Sequence, residues 1–391
     1  MLTPVRLLVG GYCVSAYGTY LNLVAVSLFS YRLTGSAWGV GAAMALRLGA
    51  GFLAGVVMAR LAGADGRRLM IGADLAQASA MVVLVLAPDP VVLGVVMVVS
   101  GAGNTLFTVS LRSGVPDLVG DAARTRVNGL LVSGRSMATV LGFGSAGLVI
   151  QAGGFDTVFL VNAGSFLVSA AALSVLRTRA PVARARPDVG DGRLGARTRT
   201  LILLRGADAL GSAAHNVALP VFATLAAPDD PATVMTWLMT AWAVGAVCAH
   251  RVMARWSAAF GDRALAVGTC LMSVSFVLAF TGLPTPLSAC LMLLAGLADG
   301  VTEICCVSRL QESPPAARGR AMALTASAET AGFAGGTLLA SALLGLLPVA
   351  GVVGAMHGVP VLAACALLLS GKEAHHGEGV QPGAGAGVDR G

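Results

Sequence analysis

Long apolar stretches recur along the whole chain, and short groups of charged, proline and glycine residues separate them. Twelve such stretches lie near 7–30, 36–60, 69–87, 90–111, 128–151, 157–176, 201–226, 232–254, 264–282, 286–308, 321–346 and 348–370. A helix needs roughly 20 residues to cross a hydrocarbon core, and each stretch comes close to that length. The pattern therefore predicts an all-α membrane protein with twelve transmembrane helices.

The composition agrees with a chain embedded in lipid. Of the 391 residues, 56% are hydrophobic and 12% are charged, which lies outside the range of ordinary soluble domains. The seven cysteines lie in apolar stretches without metal-ligand spacing, so we expect neither a disulfide framework nor a metal site. The first stretch is long enough to span and lacks a small-residue cleavage site, so we expect it to stay as the first helix.

Basic residues are concentrated in alternate connections between the stretches. Arginines dominate the connections near 60–68, 112–126, 177–199, 251–263 and 309–320, whereas the intervening connections hold one arginine and several aspartates. The positive-inside rule then predicts a multi-pass protein of the cytoplasmic (inner) membrane with both termini in the cytoplasm. The net charge of +7 therefore indicates topology and not nucleic-acid binding.

The longest polar connection divides the chain near its middle. The sequence therefore predicts an N-terminal six-helix bundle over 1–176, a cytoplasmic basic linker over 177–199, a C-terminal six-helix bundle over 200–371 and a disordered cytoplasmic tail over 372–391. The linker arginines suit a solvated, orientation-setting loop, and attraction to anionic lipid is the alternative. Two covalently joined halves complete a pathway within one chain, so we expect a functional monomer.

A short internal repeat relates the two halves. Arg126 is followed after nine residues by Arg135, and Arg320 is followed after nine residues by Glu329. The repeat places opposite charges at equivalent depths of the fifth and eleventh stretches. Repeated halves place a substrate site between them near the midplane.

The charged residues inside the stretches are candidates for energy coupling. The chain's one lysine, Lys372, lies in the tail, so the chain lacks the lysine of a P-loop ATP site. An ion gradient is the natural alternative. Each charged side chain costs roughly 2.5–3.5 kcal/mol at a helix centre, yet Asp299, Glu303 and Glu329 are present. We interpret these three carboxylates as candidates for proton coupling, since they lie where they can be shielded from bulk water.

Static ion pairs are the competing interpretation of the same carboxylates. Arg47 and Arg135 lie inside predicted spans and need partners in low dielectric. Any of the three proton-coupling candidates can supply such a partner without carrying a proton. Asp208 lies three residues after Arg205, a spacing that predicts a local pair on one helix face.

Polar and aromatic side chains within the spans are candidates for lining a substrate cavity. They are Tyr20, Asn22, Asn104, His215, Asn216 and Trp242. Aromatic residues also pack or lie at the membrane interface, and a histidine among small residues is commonly a hydrogen-bonded packing residue. The glycines at 142, 144 and 147 and at 332, 335 and 336 favour close helix approach over ligand contact.

Several segments resemble a known family. SYRLTGSAWGVG, RVNGLLVSGRSMATVLG, VNAGSFLVSAAALSVLR and ARGRAMAL are similar to the major facilitator superfamily, and within it to the drug and secondary-metabolite exporters that include the enterobactin exporter. The resemblance covers essentially all of 1–370 and is most specific over 120–177. It implies the superfamily's fold, in which two pseudo-symmetric six-helix bundles enclose the substrate path.

The resemblance also implies a cytoplasmic gating loop between the second and third helices. The positions that match the family's motif are Asp65, Gly66, Arg67 and Arg68, while Ala62 stands at the usual aspartate position. In the fifth span, Gly142 is followed by phenylalanine where antiporters of this family carry Gly-Pro. Overall similarity, and not that signature, therefore favours export.

The sequence therefore predicts a proton-coupled secondary transporter that exports a small organic compound, such as a drug, antibiotic, siderophore or other metabolite, by alternating access. The alanine- and arginine-rich, lysine-poor composition is typical of high-GC bacteria, in which such exporters confer antibiotic self-resistance. A proton symporter for nutrient uptake is the alternative, and a membrane sensor or enzyme is a third. Clustered catalytic side chains are not evident, so we expect no enzyme activity, no cofactor and no partner beyond substrate, protons and bilayer.

Overall fold

The computed structural model describes residues 2–60, 65–119, 124–176, 194–256, 262–313 and 315–377. Within them the chain forms eleven helices and no strand. The helices are α1 (Leu2–Thr34), α2 (Ala37–Arg60), α3 (Gly66–Leu86), α4 (Pro90–Val119), α5 (Arg124–Val175), α6 (Ala196–Ala226), α7 (Pro231–Trp256), α8 (Asp262–Ala279), α9 (Thr285–Gln311), α10 (Pro315–Leu343) and α11 (Val349–Gly377). Most of the predicted linker and tail lies outside the described residues.

The helix α5 contains two of the predicted spans. Its backbone leaves helical geometry at Gly154, where φ is 72° and ψ is −175°. This left-handed φ suits glycine, which has no Cβ to clash. The two segments of α5, 124–153 and 155–175, therefore correspond to the fifth and sixth predicted helices.

Nine of the described helices are long and apolar enough to cross a membrane, with α5 counted once. The apolar part of α8, Arg263–Ala279, is shorter. The helix α10 is not among the nine, and it contains Arg318, Arg320 and Glu329. The membrane fold is confirmed, and the exact number of spans stays a prediction.

The helix ends differ from the predicted ones mainly where the chain is polar. The helix α6 begins at Ala196 and includes the last residues of the predicted linker. The helix α11 continues to Gly377, through residues that we expected to be part of the disordered tail. Adding turns to an existing helix costs little for Lys, Glu and Ala, so a helix can extend past the apolar stretch that anchors it.

The two ends of the molecule have different chemistry. One end, which we call the turn face, carries the short connections at 35–36, 87–89, 154, 227–230, 280–284 and 344–348. The other end, which we call the arginine-rich face, carries the start of α3, α6 and α10 with their arginines. Both described ends of the chain lie at the arginine-rich face, because the helical segments alternate in direction.

The apolar cores show how the N-terminal bundle (α1–α5) meets the C-terminal bundle (α6–α11). Toward the turn face, one buried cluster combines residues of both bundles, including Leu21 and Phe143 with Leu219 and Met235. Toward the arginine-rich face, the clusters are separate. One lies within α1–α5 and another within α6–α11. The bundles are therefore packed together at the turn face and are independent at the other end.

Candidate functional site

The centre of the C-terminal bundle holds an arginine between two carboxylates. Arg205 on α6 donates from Nε to Glu329 Oε1 on α10 at 2.7 Å and from Nη1 to Asp208 Oδ2 at 2.9 Å. The side chains of Arg205 and Asp208 are 15% and 9% exposed, whereas Glu329 is 37% exposed. The local pair that the sequence predicted therefore extends to a third residue, and Glu329 pairs with Arg205 rather than with Arg47 or Arg135.

Two further carboxylates lie on α9 beside this group. Asp299 is within electrostatic range of Arg205, Asp208 and Glu303. Asp299 is partly buried and Glu303 is exposed, as expected for neighbours one turn apart on the side of a cavity. Asp208, Glu329 and Asp299 lie within range of Arg205, and Glu303 is a neighbour of Asp208 and Asp299.

The N-terminal bundle also has a contact between its fifth and first helices. Arg135 on α5 donates from Nε to the Tyr20 hydroxyl on α1 at 2.8 Å. The helices α1 and α5 pack together as α6 and α10 do, and Arg135 and Glu329 hold equivalent positions in the two bundles. Their partners do not, since Tyr20 lies nearer the turn face than Tyr17, which Gly142 contacts, and Arg205 lies nearer the arginine-rich face than Leu210, which Gly336 contacts. Arg135 is also within electrostatic range of Glu303, which places these charges across the space between the bundles.

Arg47 on α2 has a simpler environment. Tyr20 is within its electrostatic range, and no carboxylate of the described residues lies within salt-bridge distance. The expected static ion pairs of Arg47 and Arg135 with the three proton-coupling candidates are therefore not formed in this conformation. Both arginines instead lie beside the same phenol.

Glycines allow the two pairs of helices to approach closely. A Cβ at Gly142 would lie 2.8 Å from the Tyr17 carbonyl of α1, and one at Gly336 would lie 2.6 Å from the Leu210 carbonyl of α6. Gly332 meets the backbone of α6 in the same way, whereas Gly335 has open space around it. Close approach is thus confirmed for the glycines at 142, 332 and 336, and Gly335 does not take part in it.

The space between the bundles is closed at the turn face. Three hydrogen bonds between described residues join the bundles. Gly147 N donates to Thr236 Oγ1 at 2.7 Å, and Gln151 Nε2 donates to Asp230 and Thr233 at 2.7 and 2.8 Å. All three connect α5 with α7 or with the turn before it, near the turn face. With separate cores at the other end, the central space opens toward the arginine-rich face.

The predicted cavity residues lie in different environments. Trp242 on α7 is a neighbour of Asp299, and its indole N–H is buried without an acceptor. Asn104 is exposed, Asn22 is buried with an unpartnered carbonyl oxygen, and Asn216 donates to the Ser212 carbonyl of its own helix. Tyr20 and Trp242 are therefore the two candidates that the structure brings next to the central charges.

His215 belongs to a buried polar pair. Its Nδ1 lies 3.1 Å from His357 Nε2, and His357 Nδ1 lies 3.4 Å from Ser273 Oγ. The His215 ring stacks on Phe276 with centroids 3.8 Å apart. Both histidines are nearly inaccessible, at 4% and 1% exposure. The pair joins α6 to α11. The two histidines are 142 residues apart in sequence, so no local pattern predicted this contact.

Asp74 on α3 is a buried ionisable residue of the N-terminal bundle. It is 1% exposed, and both carboxylate oxygens lack a hydrogen-bond partner. Ser169 on α5 is its polar neighbour. Its position two turns inside the helix suggested the membrane interface, but packing of α3 against α4 and α5 removes it from water. The spacing of Asp74 along α3 relative to the helix's apolar residues was the sequence signal that could have indicated its burial.

The predicted gating loop forms contacts within its own bundle. Asp65 caps α3 by accepting from the Arg67 and Arg68 amides, and the Arg68 side chain pairs with it at 3.3 Å. Arg67 donates to the carbonyls of Leu173 and Ser174 at the end of α5, while Gly66 begins α3. The loop therefore fastens α3 to α5 at the arginine-rich face, and its gating role stays a prediction.

Comparison with known proteins agrees with this architecture. Residues 8–227 match the sequence profile of the Major Facilitator Superfamily, which is more than half of the chain. No curated protein matches the chain by sequence. The specific likeness to the enterobactin exporter group is therefore not established by these matches.

Solved transporters share the fold at low sequence identity. The POT family transporter PepTSo superposes with a TM-score of 0.73 at 10% identity, covering 95% of this chain and 98% of its own. An inward-facing, occupied bacterial homolog of the human lysosomal transporter Spinster gives 0.72 at 14%, with 94% and 96% covered. The nucleoside transporter NupG (D323A mutant) gives 0.70 at 13%, with 94% and 98% covered. These likenesses establish the fold.

Proposed function

Because the chain belongs to the Major Facilitator Superfamily and is a secondary transporter of that type, we propose that it exports a small organic compound across the cytoplasmic membrane in exchange for protons. Both termini and the arginine-rich face lie in the cytoplasm in this proposal, as the distribution of basic residues favours. The described conformation is then inward-open. A monomer suffices, since the two bundles enclose the path.

The observation that carries proton coupling is the excess of carboxylates around Arg205. Asp208, Glu329 and Asp299 lie around Arg205, and Glu303 lies beside Asp208 and Asp299. Arg205, with Arg135 across the space between the bundles within range of Glu303, cannot neutralise four ionised carboxylates, and unpaired charge in low dielectric is costly. Binding of protons removes that cost. Movement of the bundles changes which carboxylates reach water, and so can couple proton release to substrate movement.

Glu329 and Asp299 are the proposed proton carriers for different reasons. Glu329 touches Arg205 and is still 37% exposed, so it connects the buried charges with the open cavity. Asp299 has both that group and Trp242 as neighbours. Substrate that displaces the Arg205–Glu329 contact, or that binds against Trp242, would compete with protons for the same groups.

Export of a drug-like or antibiotic-like compound is favoured by two features. The aromatic rings of Tyr20 and Trp242 flank the charges and suit an amphipathic organic molecule. The segments that resemble drug and metabolite exporters favour outward movement. Uptake by symport uses the same carboxylates, so the direction of coupled proton flow separates these alternatives.

The proposal is tested in proteoliposomes with an acidic lumen and an internal pH-sensitive dye. Candidate compounds added outside are expected to trigger loss of lumenal protons in the wild type, and Glu329→Gln or Asp299→Asn is expected to lower this flux at least tenfold. Glu312→Gln is the matched control, because Glu312 pairs with Arg309 at the end of α9, away from the cavity.

Two results would contradict the proposal. Unchanged proton flux in both neutralised variants would remove these carboxylates from coupling. Protons that follow the compound into the lumen under a reversed gradient would indicate symport. Downhill exchange of labelled compound by the variants distinguishes lost coupling from misfolding.

A further inference from the structure

A second, lateral cavity lies between the two bundles near the turn face. Its volume is about 670 Å³, within the range of small-molecule sites. The first segment of α5 contributes Gly144 and Leu148, α7 contributes Trp237 and Thr240, and α9 contributes Cys290. It is separated from the central charges by the wall that α7 and α9 form together.

The cavity faces the hydrocarbon of the bilayer. Leu148 and Trp237 on its rim are 70% and 57% exposed, and the helices that carry them are apolar enough to span the membrane. Its lining is almost entirely apolar apart from threonine hydroxyls. A ligand must therefore arrive through the membrane and must be uncharged.

One hydroxyl in the cavity wall lacks a partner. Thr240 Oγ1 is buried and makes no hydrogen bond, whereas the neighbouring Thr236 hydroxyl accepts from Gly147 N. A buried hydroxyl without a partner costs free energy, and an oxygen on a ligand would remove that cost. Gly144 lies directly beside this hydroxyl, since a Cβ there would be 3.6 Å from Thr240 Oγ1.

We propose that this cavity binds an uncharged, bilayer-dissolved amphiphile that has an apolar chain and one hydroxyl or carbonyl oxygen hydrogen-bonded to Thr240. The walls belong to both bundles, so the occupant contacts α5 on one side and α7 and α9 on the other. It therefore favours the arrangement in which these helices are close, which is the conformation described here. The site is separate from the central cavity and does not depend on the proposed transport reaction.

Fluorescence quenching tests the site directly, because Trp237 lines it. A single-tryptophan variant that retains Trp237, with the other three tryptophans changed to phenylalanine, is reconstituted in phosphatidylcholine vesicles. The probe is a dibrominated long-chain alcohol. The matched control retains Trp38 instead, since Trp38 is 53% exposed on α2 and does not line the cavity.

The expected result is saturable quenching of Trp237 at low mole fraction and quenching of Trp38 that rises only in proportion to the probe. The dibrominated alkane without the hydroxyl, and Thr240→Val with the alcohol, should each bind about fivefold more weakly, the effect of one hydrogen bond. Gly144→Leu, which fills the cavity, should abolish the saturable part.

Other outcomes would overturn the proposal. Proportional quenching at both tryptophans would show ordinary lipid contact without a site. Equal affinity for the alcohol and the alkane would show that Thr240 anchors nothing, and this comparison needs no substitution at Thr240. Saturable quenching by dibrominated phosphatidylcholine at the same mole fraction would assign the cavity to a phospholipid acyl chain.

Discussion

At the scale of single residues, removal of Arg205 leaves more unpaired charge than removal of either carboxylate that contacts it. It contacts Asp208 and Glu329 at once. Neutralising either carboxylate leaves the guanidinium with one partner, whereas removing the guanidinium leaves two carboxylates without a cation. An uncompensated buried charge is more costly than a broken pair.

We therefore expect Arg205→Met to lower the free energy of unfolding by about 3 kcal/mol, the low end for a broken buried pair because Glu329 is partly exposed. Glu329→Gln should have a smaller effect. Denaturant unfolding in detergent, followed by tryptophan fluorescence, measures both. Equal stability of Arg205→Met and the wild type would contradict a structural role for Arg205.

The histidine pair makes a second prediction at this scale. His357→Leu leaves the buried His215 Nδ1 without its partner, so we expect a loss of about 1–3 kcal/mol in unfolding free energy. The matched control is His250→Leu, because His250 is exposed on α7 and should change stability little. A loss of similar size in both variants would mean that the pair contributes nothing specific.

At the scale of helices, the glycines at 335 and 336 are adjacent in sequence but have different surroundings. Gly336 lies against the Leu210 carbonyl of α6, while Gly335 has no atom within 4 Å of a Cβ. Substituting each glycine by alanine therefore distinguishes the effect of close helix packing on stability from the effect of helix propensity.

We expect Gly336→Ala to destabilise the protein by about 1–3 kcal/mol, because α6 and α10 must move apart. Gly335→Ala should be neutral or should stabilise by up to about 1 kcal/mol, since alanine is the better helix former. Thermal unfolding of the two variants in the same detergent provides the comparison. The reverse order would mean that α10 does not pack on α6 as described.

At the scale of the whole molecule, the hydrogen bonds between the bundles and their shared apolar core lie near the turn face in the described residues. There Gly147 N donates to Thr236 Oγ1, and a Cβ at Gly147 would lie 2.9 Å from that oxygen. Alternating access requires this contact to separate during each cycle. A covalent bond at this point would therefore hold the conformation that is open toward the arginine-rich face.

We expect oxidation of the double variant Gly147→Cys, Thr236→Cys, made without the seven native cysteines, to abolish transport and reduction to restore it. Each single-cysteine variant serves as the control and should be insensitive to oxidant. Transport that continues after verified cross-linking would mean that the two bundles need not separate at this face.

How much the sequence predicted depends on the range of the interactions involved. Apolar length and alternating arginines located nearly every helix, because a segment in lipid must satisfy its own backbone hydrogen bonds and meet the bilayer thickness. The Arg205–Asp208 pair was predictable as well, because i and i+3 side chains meet on any helix. The break at Gly154 was predictable too, since Gly153, Gly154 and Asp156 interrupt the apolar sequence between the fifth and sixth stretches.

The sequence by itself therefore determined that this chain spans a membrane as two repeated halves. It also showed that several charged residues lie inside the spans, where each costs free energy. Only the tertiary structure decided which helices bring those charges together. It paired Glu329 with Arg205, Arg135 with Tyr20 and His215 with His357. These partners lie more than 100 residues apart. Their contacts depend on how one helix face packs on another. Sequence spacing, in contrast, predicts only which residues are neighbours along the same helix.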